Sequence, residues 1–174
     1  MAAPAEPPAT GDEVDRVSAE WRAERPDLDL SPLSVLSRVS RLARWLDRAR
    51  DRAFAEHGLS AWEFDVLAAL RRSGPPYRLT PGQLLAENEV TSGTMTNRID
   101  RLEARGLVRR EKVPVDRRGI WVALTPDGRR RVDTAFVGLL DAERELLGEL
   151  DEPRRAELSA SLRRLLLRFE SPTA

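Results

Sequence analysis

Apolar residues recur at three- and four-residue intervals along almost the whole chain, which predicts helices with one short β interruption. Val14, Val17 and Trp21 mark a first helix over residues 12–24, and Pro26 ends it. Ser31 and Pro32 are a cap and a first helical residue for a long helix to about residue 56. Its apolar stripe is Leu33, Leu36, Val39, Leu42, Ala43 and Leu46, with Phe54 further on, and Gly58 closes it. Ser60 with Glu63 opens a third helix whose core face is Trp62, Val66, Ala69 and Leu70. Ser73-Gly74-Pro75-Pro76 breaks that helix.

Thr80-Pro81-Gly82-Gln83 is a capping box with proline at the first helical position, so a short helix runs to about residue 87. A turn at Asn88-Glu89-Val90 leads to a helix capped by Thr91 or Ser92 and stopped by Gly106. Residues 107–113 and 120–124 read as paired strands around a polar tip at 114–119. Thr125-Pro126-Asp127-Gly128 starts a helix to about residue 150, and Asp151 or Glu152 with Pro153 starts a last one ending near residue 170. Leu158, Leu162, Leu165, Leu166 and Phe169 form its apolar stripe.

Helix, short helix, turn, helix and two-stranded wing together make a winged helix-turn-helix in a mainly α chain. The organisation expected is a disordered leader over 1–11, N-terminal dimerisation and ligand helices over 12–58, a DNA-binding domain over 59–125 and C-terminal dimerisation helices over 126–174. The flanking helices carry more apolar surface than a small head can bury. A homodimer is the economical expectation, and a two-fold partner suits palindromic DNA.

Composition narrows the chemistry. The 174 residues contain no cysteine and one histidine, His57, beside the helix-stopping Gly58. Disulfides, thiol sensing and cysteine-ligated zinc are thereby excluded, and a histidine-rich metal site cannot be built. No cofactor is expected. No apolar run approaches a membrane span, and the first ten residues lack the basic start of a secretory signal, so a cytoplasmic protein without a membrane partner is expected. Formal charge is zero but uneven: residues 1–30 sum to −5 and residues 91–119 to +4. A basic segment in a neutral chain points to a polyanion-facing surface, here double-stranded DNA.

Within residues 92–103, Met95, Ile99 and Leu102 share one helix face and would seat the helix on the core. Ser92, Thr94, Thr96, Asn97 and Arg101 are left as candidate DNA-binding residues. Small groups suit entry into a major groove, and Asn and Arg make bidentate contacts to base edges. Arg117 and Arg118, at the hairpin tip, are placed to enter a minor groove, where arginine is favoured electrostatically. Carboxylates sit where helix surfaces want them, and no phosphate-cradling glycine loop is present, so no enzyme is expected. The remaining alternative is a winged-helix regulator acting through protein contacts without a small-molecule ligand.

Residues 79–128 resemble the MarR family of bacterial regulators. The stretches that carry the resemblance are Leu79-Thr80, residues 91–108 with Arg101-Leu102-Glu103-Ala104-Arg105-Gly106, Asp116-Arg117-Arg118 and Leu124-Thr125-Pro126-Asp127-Gly128. It implies a dimer with a β wing, terminal helices at the interface, and repression relieved by a ligand. A narrower resemblance, at Glu20-Trp21-Arg22, Trp62 to Asp65, Arg72-Ser73-Gly74-Pro75-Pro76 and Asn97-Arg98-Ile99, is to the urate-responsive, PecS-like subgroup. It implies a ligand site of Trp21, Asp65, Arg72 and Arg98 for urate or a related small carboxylate. Asp65 and Arg72, seven apart, share one helix face. Two arginines and an indole suit a planar anion, through charge-assisted bonds and stacking.

Overall fold

A computed structural model of the chain describes residues 11–112 and 119–170. The expected leader, apart from Gly11, therefore lies outside the described residues, as do Asp116, Arg117 and Arg118 at the expected hairpin tip. The chain divides into two compact units, residues 1–48 and 49–174, with the boundary inside a helix.

The first unit holds α1 (Glu13–Glu24) and most of α2 (Ser31–Glu56). Asp12 is the cap of α1 rather than its first residue. Its carboxylate accepts from the Val14 and Asp15 amides, at 2.8 and 3.1 Å, and the Asp15 carboxylate accepts from the Asp12 amide at 3.0 Å. That reciprocal arrangement satisfies donors a helix start leaves open. Arg38 on α2 donates to Asp12 at 2.8 Å and pairs with Asp15 at 2.7 Å, tying the two helices together. Val14 is buried, while Trp21 is 51% exposed. Along α2, the stripe residues Leu36, Val39 and Leu42 are exposed, as is Trp45.

The second unit is built around α3 (Ala61–Arg72). Phe64, Val66, Leu67, Ala68, Ala69 and Leu70 are all buried, and only Asp65 interrupts them as an exposed position. Four apolar positions were expected on one face. The helix is instead covered on several sides, by α4 (Pro81–Asn88), α6 (Pro126–Leu146) and the sheet. The Ser60–Glu63 capping box is present, and its Glu63 is buried.

The sheet has three antiparallel strands in the order β1 (Arg78–Leu79), β3 (Ile120–Leu124), β2 (Val108–Lys112). The strand β1 was not expected, because two residues are too short to show a period of two. It pairs Arg78 with Ala123 and Leu79 with Val122. The predicted pairing of the two hairpin strands is present, with β2 starting at Val108 rather than Leu107 and Val113 outside the described residues; Val108 lies opposite Leu124 and Lys112 opposite Ile120.

Thr80 caps α4 with Gln83 and Pro81 in the predicted roles. Glu89, with φ of +49°, reverses the chain, and Thr91 then caps α5 (Ser92–Ala104). Gly106, at φ +69°, closes that helix in the left-handed region that glycine tolerates. Gly128, in the first turn of α6, packs against the strand end: a Cβ there would lie 2.0 Å from the Leu107 carbonyl oxygen.

The helix α6 ends at Leu146, short of the expected residue 150. Gly148 has poor helix propensity, and the chain turns over 147–150 with Leu150 donating to the Leu147 carbonyl. The last helix, α7 (Glu152–Glu170), buries no residue at all. No helix among the described residues is long and apolar enough to cross a membrane.

Candidate nucleic-acid interface and anion site

Three residues seat α5. Met95, Ile99 and Leu102 are 1%, 2% and 0% exposed, as their spacing required. Fixing them inward fixes what points outward. Ser92, Thr94, Thr96, Asn97 and Arg101 are all exposed, so the five candidate DNA-binding residues of this helix lie on one accessible element.

Hydrogen bonding distinguishes them. The Thr96 hydroxyl donates to the Ser92 carbonyl at 3.0 Å, which leaves it lone pairs to accept with. Thr94 shares a 2.9 Å contact with the capping Thr91 hydroxyl. The Asn97 amide makes no hydrogen bond among the described residues, so both its donor and its acceptor are available. That is the arrangement a bidentate contact to adenine uses.

The arginines fall into two groups that the sequence does not separate. Arg105, just past the helix, donates to the buried Glu63 carboxylate and, at 2.7 Å, to the Gly58 carbonyl. Arg109 pairs with Glu111 at 2.6 Å, and Arg78 reaches the same carboxylate at 3.4 Å. Arg110 donates to Asp100 at 2.5 Å and also to Glu103. The basic strand residues Arg109 and Arg110 are thus committed to carboxylates. Arg110 bridges two acids carried by α5 itself and offsets one of their two negative charges.

Arg98 and Arg101 belong to the second group. Neither forms an ion pair with a carboxylate among the described residues. Both guanidiniums lie over the indole of Trp62, with 5.5 and 5.1 Å from guanidinium carbon to ring centroid. Arg98 is half-buried while Asn97 is exposed, so Arg98 is turned toward the protein body.

The expected ligand residues are distributed as follows. Asp65 lies on α3 one turn after Trp62, whose indole carries Arg98. Arg72 is about two turns further along the same face. Arg72 does not bond Asp65: it donates to Glu87 on α4 at 3.0 Å. It also borders a cleft of about 300 Å³ lined by Phe64, Ala68, Val132 and Phe136. Trp21 belongs to the first unit.

Sequence reasoning missed that Trp62 and Glu63 meet the arginines of α5 and its end. Trp62 reads as core from its spacing, and Glu63 reads as a cap. Trp62 packs only partly buried against the core, and Glu63 does cap α3, but burial of Glu63 adds an electrostatic role. Burial works to raise its carboxyl, yet the hydrogen bonds from the Ser60 amide at 2.9 Å, from Arg105 and from the Ser60 hydroxyl outweigh it. They hold the group below the usual glutamate range.

Residues 57–119 match the family model described as the MarR family. The chain is 39% identical over 153 residues to the HTH-type transcriptional regulator PecS of Dickeya dadantii, covering 88% of this chain and 92% of that protein. A MarR family transcriptional regulator of Streptomyces coelicolor, solved in complex with DNA, superposes with a TM-score of 0.70 at 25% identity, over 84% of this chain and 91% of that one. The Bordetella bronchiseptica protein BpsR, whose DNA binding is regulated by 6-hydroxynicotinic acid, superposes with a TM-score of 0.56 at 28% identity, over 74% and 98%.

Proposed function

The chain belongs to the MarR family of DNA-binding transcriptional regulators, and from that premise we propose that it is a homodimeric repressor released from its operator by a small planar anion. The observation that carries the reading is α5: a helix pinned by three buried side chains, with Ser92, Thr94, Thr96, Asn97 and Arg101 exposed together. Two such helices would enter successive major grooves of a pseudo-palindromic site, about 10 base pairs apart. Arg117 and Arg118, which the sequence puts between the two wing strands, would reach the adjacent minor groove.

The dimer is supported by α7, where Leu158, Leu162, Leu165, Leu166 and Phe169 are 38–85% exposed in the single chain. An apolar stripe of that extent marks an interaction surface. A second copy is also what a symmetric operator calls for.

The ligand would be urate or a related carboxylate, held by Arg72, Arg98 and Asp65. In support, Arg98 pairs with no carboxylate among the described residues, and the Glu87 partner of Arg72 is solvent-exposed. The regulation of BpsR by a pyridine carboxylate points to the same ligand chemistry. Because Arg98 is part of α5, an anion binding it more tightly in a tilted helix geometry would lower DNA affinity by that difference. Trp21 enters from the resemblance alone, and Trp21→Ala tests it separately.

The test is a duplex-binding titration at two salt concentrations, repeated with urate. A steep fall of affinity with salt is expected, with release by urate that Arg98→Ala and Arg72→Ala blunt at least about tenfold. Binding of a protein partner with no affinity for any duplex would favour the protein-contact reading. Salt-sensitive DNA binding indifferent to urate and to aromatic carboxylates would overturn the ligand class alone.

A further inference from the structure

The two arginines of α5, which have no carboxylate partner among the described residues, share a single aromatic ring, and that ring belongs to another helix. Arg98 and Arg101 are i and i+3 on α5, so their side chains leave the same side. Both meet Trp62 in the first turn of α3, within the roughly 6 Å at which a guanidinium is attracted by the face of an indole. The next residue of that turn, Glu63, takes Arg105 through a buried carboxylate. Arg98, Arg101 and Arg105 therefore form one stripe at i, i+3 and i+7, met by two successive residues of α3.

The two partners act differently on charge. A carboxylate orients an arginine and cancels it. An aromatic face orients an arginine through its quadrupole and leaves the full positive charge in place. Glu63 thus anchors the end of α5 at no net charge, while Trp62 holds two like charges side by side and keeps both available to an anion.

We propose that Trp62 is a positioning residue for DNA binding: its indole holds the Arg98 and Arg101 guanidiniums in place, still charged, for the phosphate backbone beside the α5 reading face. This rests on the placement of α5 against the duplex. It assigns to an α3 residue, which touches no base, control over how α5 presents its charge. Pre-organising two long, flexible side chains removes rotamer entropy that binding would otherwise cost. An anion drawing Arg98 off the ring would remove one of the two charges that Trp62 sets, which gives the ligand a route to the DNA contacts.

The experiment uses the full chain and a duplex that the wild-type protein enriches from a random-sequence pool. Trp62→Leu keeps apolar bulk without a π face and is expected to weaken binding about tenfold, equivalent to about 1.4 kcal/mol. Trp62→Phe keeps a smaller face and should lose about threefold. The slope of log affinity against log salt stays at the wild-type value in both, because no charge is removed, whereas Arg101→Ala reduces it by about one. In an Arg101→Ala background, Trp62→Leu should cost markedly less than in the wild type, a coupling that a purely structural role would not produce.

Should Trp62→Leu fail to fold, the same cycle with Trp62→Phe carries the measurement. Equal affinity of Trp62→Leu and wild type, or strict additivity with Arg101→Ala, overturns the role of Trp62 and leaves α5 on the DNA. Failure of the wild-type chain to enrich any duplex overturns the placement of α5, and this inference with it.

Discussion

Two amphipathic helices of the same unit, α5 and α7, have similar apolar spacing and opposite fates. In α5 the stripe Met95, Ile99, Leu102 is sealed into the core at 2% exposure or less. In α7 the stripe from Leu158 to Phe169 is open, with Phe169 at 85%. Periodicity establishes that a helix has an apolar side; it does not establish what covers that side. The difference lies in the surroundings. The short α4 and β2 pack on α5, and its stripe joins one core cluster with α3, whereas no residue of α7 is buried in the single chain.

The largest effect that sharpens this contrast is in the α5 seat. Leu102→Ala should lower unfolding free energy by about 2–5 kcal/mol, measured by urea denaturation, since it leaves a cavity in a fully buried site. Phe169→Ala under the same conditions, at dilution where copies are apart, should change it by less than about 0.5 kcal/mol. A similar cost at both positions would show that α7 packs on its own chain.

Glu63→Gln comes next, at about 1–3 kcal/mol, because Arg105 loses a charge-assisted bond and a buried acceptor is weakened. Its pH dependence has a definite sign. The folded carboxyl titrates below the ordinary glutamate value of about 4.3, so its stabilisation is complete above that value. It is lost as the pH falls from there through the folded pKa. The wild-type urea midpoint should therefore decline in that acid window, and Glu63→Gln should flatten the decline. An unchanged acid limb would remove Glu63 from the account.

On the outer face of α5, Asn97→Ala should cost about 1–3 kcal/mol of discrimination at one base position, read by comparing selected and single-substituted duplexes. It should leave the thermal midpoint within a degree or two, as expected of an exposed residue. For α7, Leu165→Asp should leave the isolated chain's stability nearly unchanged while abolishing the concentration dependence of its melting. If melting of the wild-type chain has no concentration dependence, α7 is not a self-association surface.

Local chemistry made much of the fold legible. Thr80 with Pro81 and Gln83, Thr125 with Pro126, and Gly106 past α5 each carry out the job their type and spacing announced. The inward face of α5 was legible as well, and its outward face followed by subtraction. The ion pairs were not. Arg110 with Asp100 and Glu103 spans α5 and β2, and Arg105 with Glu63 joins residues 42 apart. The net charge of +4 over 91–119 already subtracts these acids, but it does not say that they hold the arginines of β2 and leave those of α5.

The order of helices and strands, their caps and the apolar stripe of each belong to the sequence, because they arise from interactions within a few residues of chain. Which arginine keeps its charge was decided only in three dimensions. That depends on whether a carboxylate or an indole from a distant element arrives beside it, and no local spacing encodes that arrival.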